Sequence, residues 1–342
     1  MLIMLVSLVL LYFGQDFLIP LVLGLMAWSV LDALANHIGS IPFGSRHMPR
    51  WLAMLLSVLA LMLVLLLIYQ ILVGQGPAIE AAVPVYQENF IRMINDLAGQ
   101  YGIKELPTSD TLMQKIDFSL LLGWLGSSVG YLVSTLLLIL MYTGFLFAEQ
   151  RVMMNKINAL AGDPEKAAKM HRIIVEISSR IQNYIWIKTV VSTATGVLSY
   201  IILKMVGVDF AAVWALLIFM LNYIPNIGSI VGVAMPALLT LMQFDTLTPF
   251  FIVAIGLGAI QFAIGNLVEP ALMGKSLNLS PFMIILSLTF WGLLWGIPGM
   301  FLSVPITVMF AIVCARFRPT RGVAIILSGD GNVTYEKEQA AS

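Results

Sequence analysis

An all-α polytopic membrane protein is the fold class that this sequence predicts, and three observations predict it. Sixty per cent of the 342 residues are hydrophobic and only 11% are charged, with a mean hydropathy of +0.95, which excludes an ordinary soluble domain. Apolar runs of spanning length recur along the chain. Two of them, residues 211–243 and 281–313, reach 33 residues each. As straight helices these would run about 50 Å, against about 30 Å of bilayer hydrocarbon, so neither is a single plain crossing.

The elements follow in order. Residues 2–13 are too few to span unaided and read as a short first helix, or as half of one kinked element broken at Asp16 and Pro20. Spans follow at 17–35, 51–73, 129–147 and 185–206, then the first long run, a span at 247–268 and the second long run. That makes about eight hydrophobic elements. Each long run is interrupted near its middle, by Asn222-Tyr223-Ile224-Pro225-Asn226-Ile227-Gly228 and by Trp295-Gly296-Ile297-Pro298-Gly299. Broken backbone at membrane depth survives only where protein or a water-filled cavity satisfies its polar groups, and paired broken elements point to a transport site. Both runs are therefore read as broken, re-entrant helical hairpins.

Basic residues orient the chain. Residues 36–50 carry Arg46 and Arg50 without an acid, residues 149–184 carry six Lys or Arg, and Arg316, Arg318 and Arg321 follow the second hairpin. These read as cytoplasmic. Residues 74–125, with three basic and six acidic side chains, read as periplasmic. Parity then brings the hairpins in from opposite faces, so that their tips would meet near the midplane. The resulting organisation is N-terminal membrane helices at 1–73, a periplasmic amphipathic helical segment at 74–125 and a membrane helix at 126–148. A cytoplasmic amphipathic helix at 149–184, a transport core at 185–317 and a cytoplasmic tail at 318–342 complete it.

Both extramembrane segments show helical periodicity. Ile79, Val83, Tyr86, Phe90, Ile94, Leu97 and Tyr101 form one stripe, read as a lid or scaffold packing on neighbouring helices. Asp163-Pro164-Glu165 is a helix start, and the face from Met170 to Tyr184 leads directly into the next span. The tail beyond Arg321 is expected to have little order.

Polar groups inside spans are costly and attract functional hypotheses. In the first hairpin these are Asn222, Asn226 and Ser229, beside Pro225 and Gly228; the next span adds Gln261 and Asn266. Carboxamides both donate and accept, which suits an uncharged polyhydroxylated solute, although the asparagines could instead cap the two half-helices. Gly296, Pro298 and Gly299 form the second tip. Glu269 and Asp16 are the carboxylates that could couple transport to an ion. Lys188 and Lys204 are expected to snorkel from the ends of their span. Ser192, Thr193, Thr195 and Gly196 are expected to pack on a neighbouring helix, as are Gly256, Gly258 and Gly265.

No catalytic or metal motif is present: there is no HExxH, no GxSxG and no Cys/His ligand spacing, and Cys314 is the single cysteine. An enzyme, a cofactor and a metal are therefore not expected. The balance of 18 basic and 18 acidic residues does not suggest nucleic acid as a partner.

The run Trp214–Ser229 with Pro236, the run Gly265–Gly274, and Phe290-Trp291-Gly292, Gly299-Met300 and Ser303-Val304-Pro305 closely resemble the signature of the autoinducer-2 exporter family, the PerM-like permeases. The resemblance covers nearly the whole chain; the short N-terminal helix departs from it. It implies a multi-pass protein of the bacterial inner membrane that exports the quorum-sensing signal autoinducer-2 or a similar small polar metabolite. It also implies a homo-oligomer, with a pentamer as the suggested form. Two other readings stay open. One is a sodium or proton antiporter using Glu269 and Asp16, the other a non-transporting membrane scaffold.

Overall fold

In hydrocarbon a backbone N–H finds no water, so an apolar segment satisfies its own polar groups as a helix. The computed structural model describes residues 2–40, 42–43, 46–101, 118–274 and 278–332. Among these the fold is helical apart from a minimal hairpin pairing Pro42–Phe43 with Arg46–His47 and an isolated bridge from Leu279 to Ser328. The helices are α1 (Leu2–Phe13), α2 (Gln15–Ser40), α3 (Arg50–Tyr101), α4 (Phe118–Ala161), α5 (Pro164–Val206), α6 (Ala211–Leu221), α7 (Ile227–Gln243), α8 (Thr248–Ala263), α9 (Glu269–Met273), α10 (Pro281–Arg316) and α11 (Arg321–Leu327).

Five helical stretches are long and apolar enough to cross a bilayer: Gln15–Ser40, Arg50–Ile79, Pro164–Val206, Thr248–Met273 and Pro281–Arg316. A sixth, Thr135–Gln150 with Asn155–Ala161, is bent by 70°. The chain is thus an all-α polytopic membrane protein. Where the sequence suggests separate elements on either side of residue 73, α3 is continuous for 52 residues and absorbs Pro77 and Pro84. The start of α5 is as read from the sequence, with Asp163 Oδ1 accepting from the Glu165 amide at 3.0 Å.

The chain divides into two compact units. The first comprises Met1–Val58, Thr135–Lys188 and Ala271–Ser342. Its core gathers Leu302, Val308 and Ile312 of α10 with Ile19 and Met26 of α2 and Ile181 and Tyr184 of α5. Gly24 lets α2 lie against α4, since a Cβ there would sit 2.9 Å from that of Tyr142. Thr143 Oγ1 donates to the Gly24 carbonyl at 3.2 Å across the same approach.

α10 is a hairpin. Gly296 takes φ 62° and ψ −140°, which breaks the helix. Beyond it Ser287 Oγ donates to the Ser303 carbonyl at 3.1 Å and bonds Thr307 Oγ1. Sixteen residues of straight helix would separate Ser287 from Ser303 by about 24 Å. The two arms touch so closely that a Cβ on Gly299 would lie 1.9 Å from the Trp291 carbonyl oxygen. Trp295 ties the tip to α1, its indole N–H donating to the Leu11 carbonyl at 2.9 Å.

The expectation of a poorly ordered tail is corrected for residues 321–332. Apolar Val323-Ala324-Ile325-Ile326-Leu327 forms α11, with Ala324 fully buried and Leu327 packed on the core. The strand after it clasps the loop before α10: the Ser280 amide donates to Leu327 O at 2.9 Å, the Gly329 amide to Asn278 O at 3.2 Å, and Asn278 Nδ2 to Asn332 O at 2.8 Å. Residues 333–342 lie outside the described residues.

The second unit comprises Leu59–Ser134 and Thr189–Pro270. Its core gathers Leu203 of α5, Val208 of the turn that follows it, Ala211 and Ile218 of α6, Ala237 of α7, and Val253 and Leu257 of α8. α6 and α7 form the first hairpin. The side chains of Val83, Phe90, Ile94 and Leu97, like residues 102–117, lie outside the described part, so only Ile79 and Tyr86 of the predicted stripe can be placed; Tyr86 is buried.

Candidate functional site

The break in the first hairpin falls where Pro225 interrupts the ladder and two asparagines flank it. α6 ends at Leu221 with Asn222 as its last helical turn, and α7 starts after Asn226. Asn226 takes φ 60° and ψ −56°, a conformation that Asn tolerates better than most residues. Its side chain makes no cap bond and is exposed, so capping is not what places an asparagine there. The turn is fixed by backbone bonds from Ile227 N to Pro225 O at 2.6 Å and from Gly228 N to Ile224 O at 3.2 Å. Gly228 is obligatory: a Cβ would fall 1.7 Å from the Leu221 carbonyl oxygen.

Asn222 turns inward. It is 5% exposed, and its Nδ2 donates to Ser192 Oγ at 3.0 Å. The neighbouring Tyr223 hydroxyl shares a 2.8 Å hydrogen bond with Thr189 Oγ1. Ser192 and Thr189 are three residues apart on α5, hence on one face. Gly196, on the same side, brings α5 against α6, since a Cβ would lie 3.1 Å from Ala215 O and 3.2 Å from Phe219 Cβ. Thr195 bonds its own helix, to Val191 O at 2.8 Å. Ser199, two turns beyond Ser192, is fully buried and its hydroxyl has no hydrogen-bond partner among the described residues.

Gln261 is buried on α8, with its Nε2 facing Gly232 one turn below Gly228, where an added Cβ would be 3.7 Å away. The Asn222 backbone nitrogen borders α7 one turn earlier, at Gly228, while its carboxamide faces α5. Asn266 does not join them: it is exposed and bonds Phe262 O on its own helix at 3.2 Å. Ser229 and Pro225 are half-buried. Gly296, Pro298 and Gly299 form the tip of α10, in the other unit. Asp16 is exposed at the start of α2, and Glu269 is half-buried.

Glu269 closes a widened turn, Ile264–Val268, in which its amide bonds back five residues to the Ile264 carbonyl. Pro270 explains it. A proline has no N–H and its ring collides with the carbonyl four residues back, so the helix opens by one residue ahead of it. Of the three glycines expected to thin this helix, only Gly256 has a neighbour within 4 Å, the Ile202 side chain.

One further reading is corrected. Lys188 does not snorkel: it is 4% exposed, whereas Lys204 is exposed. Ser192 meets a neighbouring helix, as its residue type suggests, and adds a hydrogen bond there; Thr189 is not singled out by the sequence. A Ser and a Thr three apart, facing a hairpin that carries Asn and Tyr in succession, is the signal that could have found the pairing.

Beyond the apolar part of α3 a second polar group collects in this unit. The Tyr86 hydroxyl donates to Asp209 Oδ2 at 2.7 Å and Asn89 Nδ2 to Met242 O at 3.1 Å. Gln243 staples the hairpin base, accepting from the Asp209 amide at 2.9 Å and donating to Gly207 O at 2.8 Å. Burial, and then the Asp209 carboxylate, push the Tyr86 phenol above its ordinary value.

The pattern shared by AI-2E family transporters matches residues 1–318. The chain belongs to the AI-2E transporter family. A candidate transport protein of Haemophilus influenzae is 30% identical over 318 residues, 91% of this chain and 88% of its own length. The AI-2 transport protein TqsA of Escherichia coli K12 is 31% identical over 325 residues, 92% of this chain and 90% of its own. A candidate transport protein of Borreliella burgdorferi is 32% identical over 247 residues, 72% and 68% of the two lengths. Like other AI-2E transporters, then, this chain is a multi-pass membrane protein, and its function is transport.

Proposed function

We propose that this AI-2E transporter exports a small, neutral, polyhydroxylated metabolite across the bacterial inner membrane, with autoinducer-2 as the cargo. The pairing of Asn222 and Tyr223 with α5 hydroxyls carries this reading. It sets carboxamide, phenol and alcohol groups side by side at a break in an apolar hairpin, with the Gln261 carboxamide one turn further along α7. Such a set recognises hydroxyls and carbonyls without carrying charge. The name of the TqsA relative supports autoinducer-2. Each hairpin enters and leaves the bilayer by a single face, the first from outside and the second from inside, and the protein works as a homo-oligomer. Of the two coupling candidates, Asp16 is exposed and belongs to the other unit; Glu269 is half-buried in the same unit as Asn222 and is the residue through which the alternative reading, ion antiport, would run.

The test is uptake of labelled autoinducer-2 into inverted membrane vesicles, with and without an imposed proton gradient. Saturable, protein-dependent uptake that is lost in Asn222→Leu and weakened in Gln261→Leu is expected, with both variants inserted at normal levels. Uptake equal to wild type in Asn222→Leu would overturn the site. No uptake by competent wild-type vesicles would overturn the cargo.

A further inference from the structure

Asn222 and Tyr223 do not stand open for a solute. Each is engaged by an alcohol of α5, Asn222 by Ser192 at 3.0 Å and Tyr223 by Thr189 at 2.8 Å. Both of these partners are aliphatic hydroxyls, the group that a neutral polyol presents. The two bonds also differ in depth. Thr189 and Tyr223 are half-buried, whereas Ser192 is fully buried and Asn222 nearly so.

We propose that Ser192 and Thr189 are placeholder hydroxyls and determine specificity: they hold the places on Asn222 and Tyr223 that solute hydroxyls take when cargo binds. The inference rests on the transport reading of this hairpin. Exchanging one alcohol for another keeps the buried carboxamide and phenol bonded throughout. A solute without hydroxyls cannot make the exchange, because displacing Ser192 would leave the Asn222 carboxamide desolvated and without that bond. Selection for polyhydroxy solutes then follows from competition inside the protein.

Competition fixes the sign of the mutational effect. A placeholder opposes cargo, so removing it lowers KM; a hydroxyl that grips cargo alongside Asn222 would raise it. One hydrogen bond of ordinary strength corresponds to about a fivefold change. In proteoliposomes, Ser192→Ala and Thr189→Val should each lower the KM for labelled autoinducer-2 about fivefold, and Thr189→Ser, which keeps the hydroxyl, should not change it. An unchanged or raised KM in both variants overturns the inference. A second readout does not depend on the cargo: hydrogen exchange of the amides of residues 222–228 in the full-length protein. Faster exchange in Ser192→Ala supports a latch that must open, and unchanged exchange overturns it. If wild-type proteoliposomes take up no autoinducer-2, the cargo reading falls and the exchange measurement alone decides the latch.

Discussion

The Tyr86 hydroxyl donates to Asp209 Oδ2 at 2.7 Å, joining residues 123 positions apart in sequence. With Asn89 on the Met242 carbonyl, it fastens the less apolar C-terminal half of α3 to both ends of the first hairpin. Inside the hairpin Gln243 closes the same base on Gly207 and Asp209. The outer clamp and the inner staple are thus separate sets of bonds meeting at Asp209.

Tyr86→Phe should lower the thermal stability of the purified protein by the equivalent of about 1–2 kcal/mol, one hydrogen bond to a carboxylate at a partly buried site. The alkaline dependence follows from the raised phenol. A group whose proton is held more tightly in the folded state stabilises fully below its unfolded value, about 10 for tyrosine, and loses that contribution as pH rises through the folded value. The difference between wild type and Tyr86→Phe should therefore be level from neutral pH to about 10 and shrink above it. Melting curves of both proteins across that range check this.

Glycines at the two tips are not equivalent to those on α8. A Cβ would lie 1.7 Å from Leu221 O at Gly228 and 1.9 Å from Trp291 O at Gly299, distances that only backbone displacement can relieve. Gly228→Ala and Gly299→Ala should each destabilise by more than about 3 kcal/mol, as large core clashes do. Gly258 meets nothing within 4 Å, and Gly258→Ala should be neutral or stabilise by up to about 1 kcal/mol through helix propensity. Yields of monodisperse protein and melting temperatures of the three variants separate these outcomes.

Much of this architecture is legible in the sequence because bilayer thickness and helix rise are fixed lengths. Thirty-three apolar residues with Pro225 or Pro298 at the centre do not fit a single crossing, and both runs do fold back. The helix start at Asp163 was equally readable from its cap chemistry. What stayed hidden depends on rotation and on distant partners. Asn222 and Asn226 read alike, yet a few residues of turning put one against Ser192 and the other at the surface. Lys188 looked like a helix-end lysine because sequence position does not show how much protein surrounds a span. The Gln243 staple and the Asn278 clasp use ordinary polar residues whose partners lie 34 to 54 positions away, beyond any local pattern.

Glu176 of α5 accepts from two arginines, Arg180 one turn on at 3.4 Å and Arg316 at the end of α10. Its side chain and that of Arg316 are each 16% exposed. Removing one member of so enclosed a group leaves the others desolvated with their charge uncompensated. Glu176→Gln should cost about 2–3 kcal/mol, reduced from the fully buried case by the remaining solvent access. Glu149→Gln, which breaks the exposed pair with Lys156, should cost less than about 0.5 kcal/mol. Thermal unfolding at low and high salt distinguishes them, since only the exposed pair should be strongly screened.

Ser192 and Ser199 are both fully buried on one face of α5, and alanine should act on them in opposite directions. The Ser192 hydroxyl accepts from the buried Asn222 carboxamide, so Ser192→Ala removes that acceptor and destabilises by about 1–3 kcal/mol. The Ser199 hydroxyl is buried with no partner among the described residues and already bears its desolvation cost in the folded state. Ser199→Ala removes that cost together with a single oxygen atom, leaving little cavity, and should raise stability by about 1 kcal/mol. Paired melting curves of the two variants test this. A fall in stability for Ser199→Ala would show that its hydroxyl is bonded in the working protein, by ordered water or by cargo. Repeating the melt with autoinducer-2 present would tell these apart, because only cargo would shift the wild type and leave the alanine variant where it was.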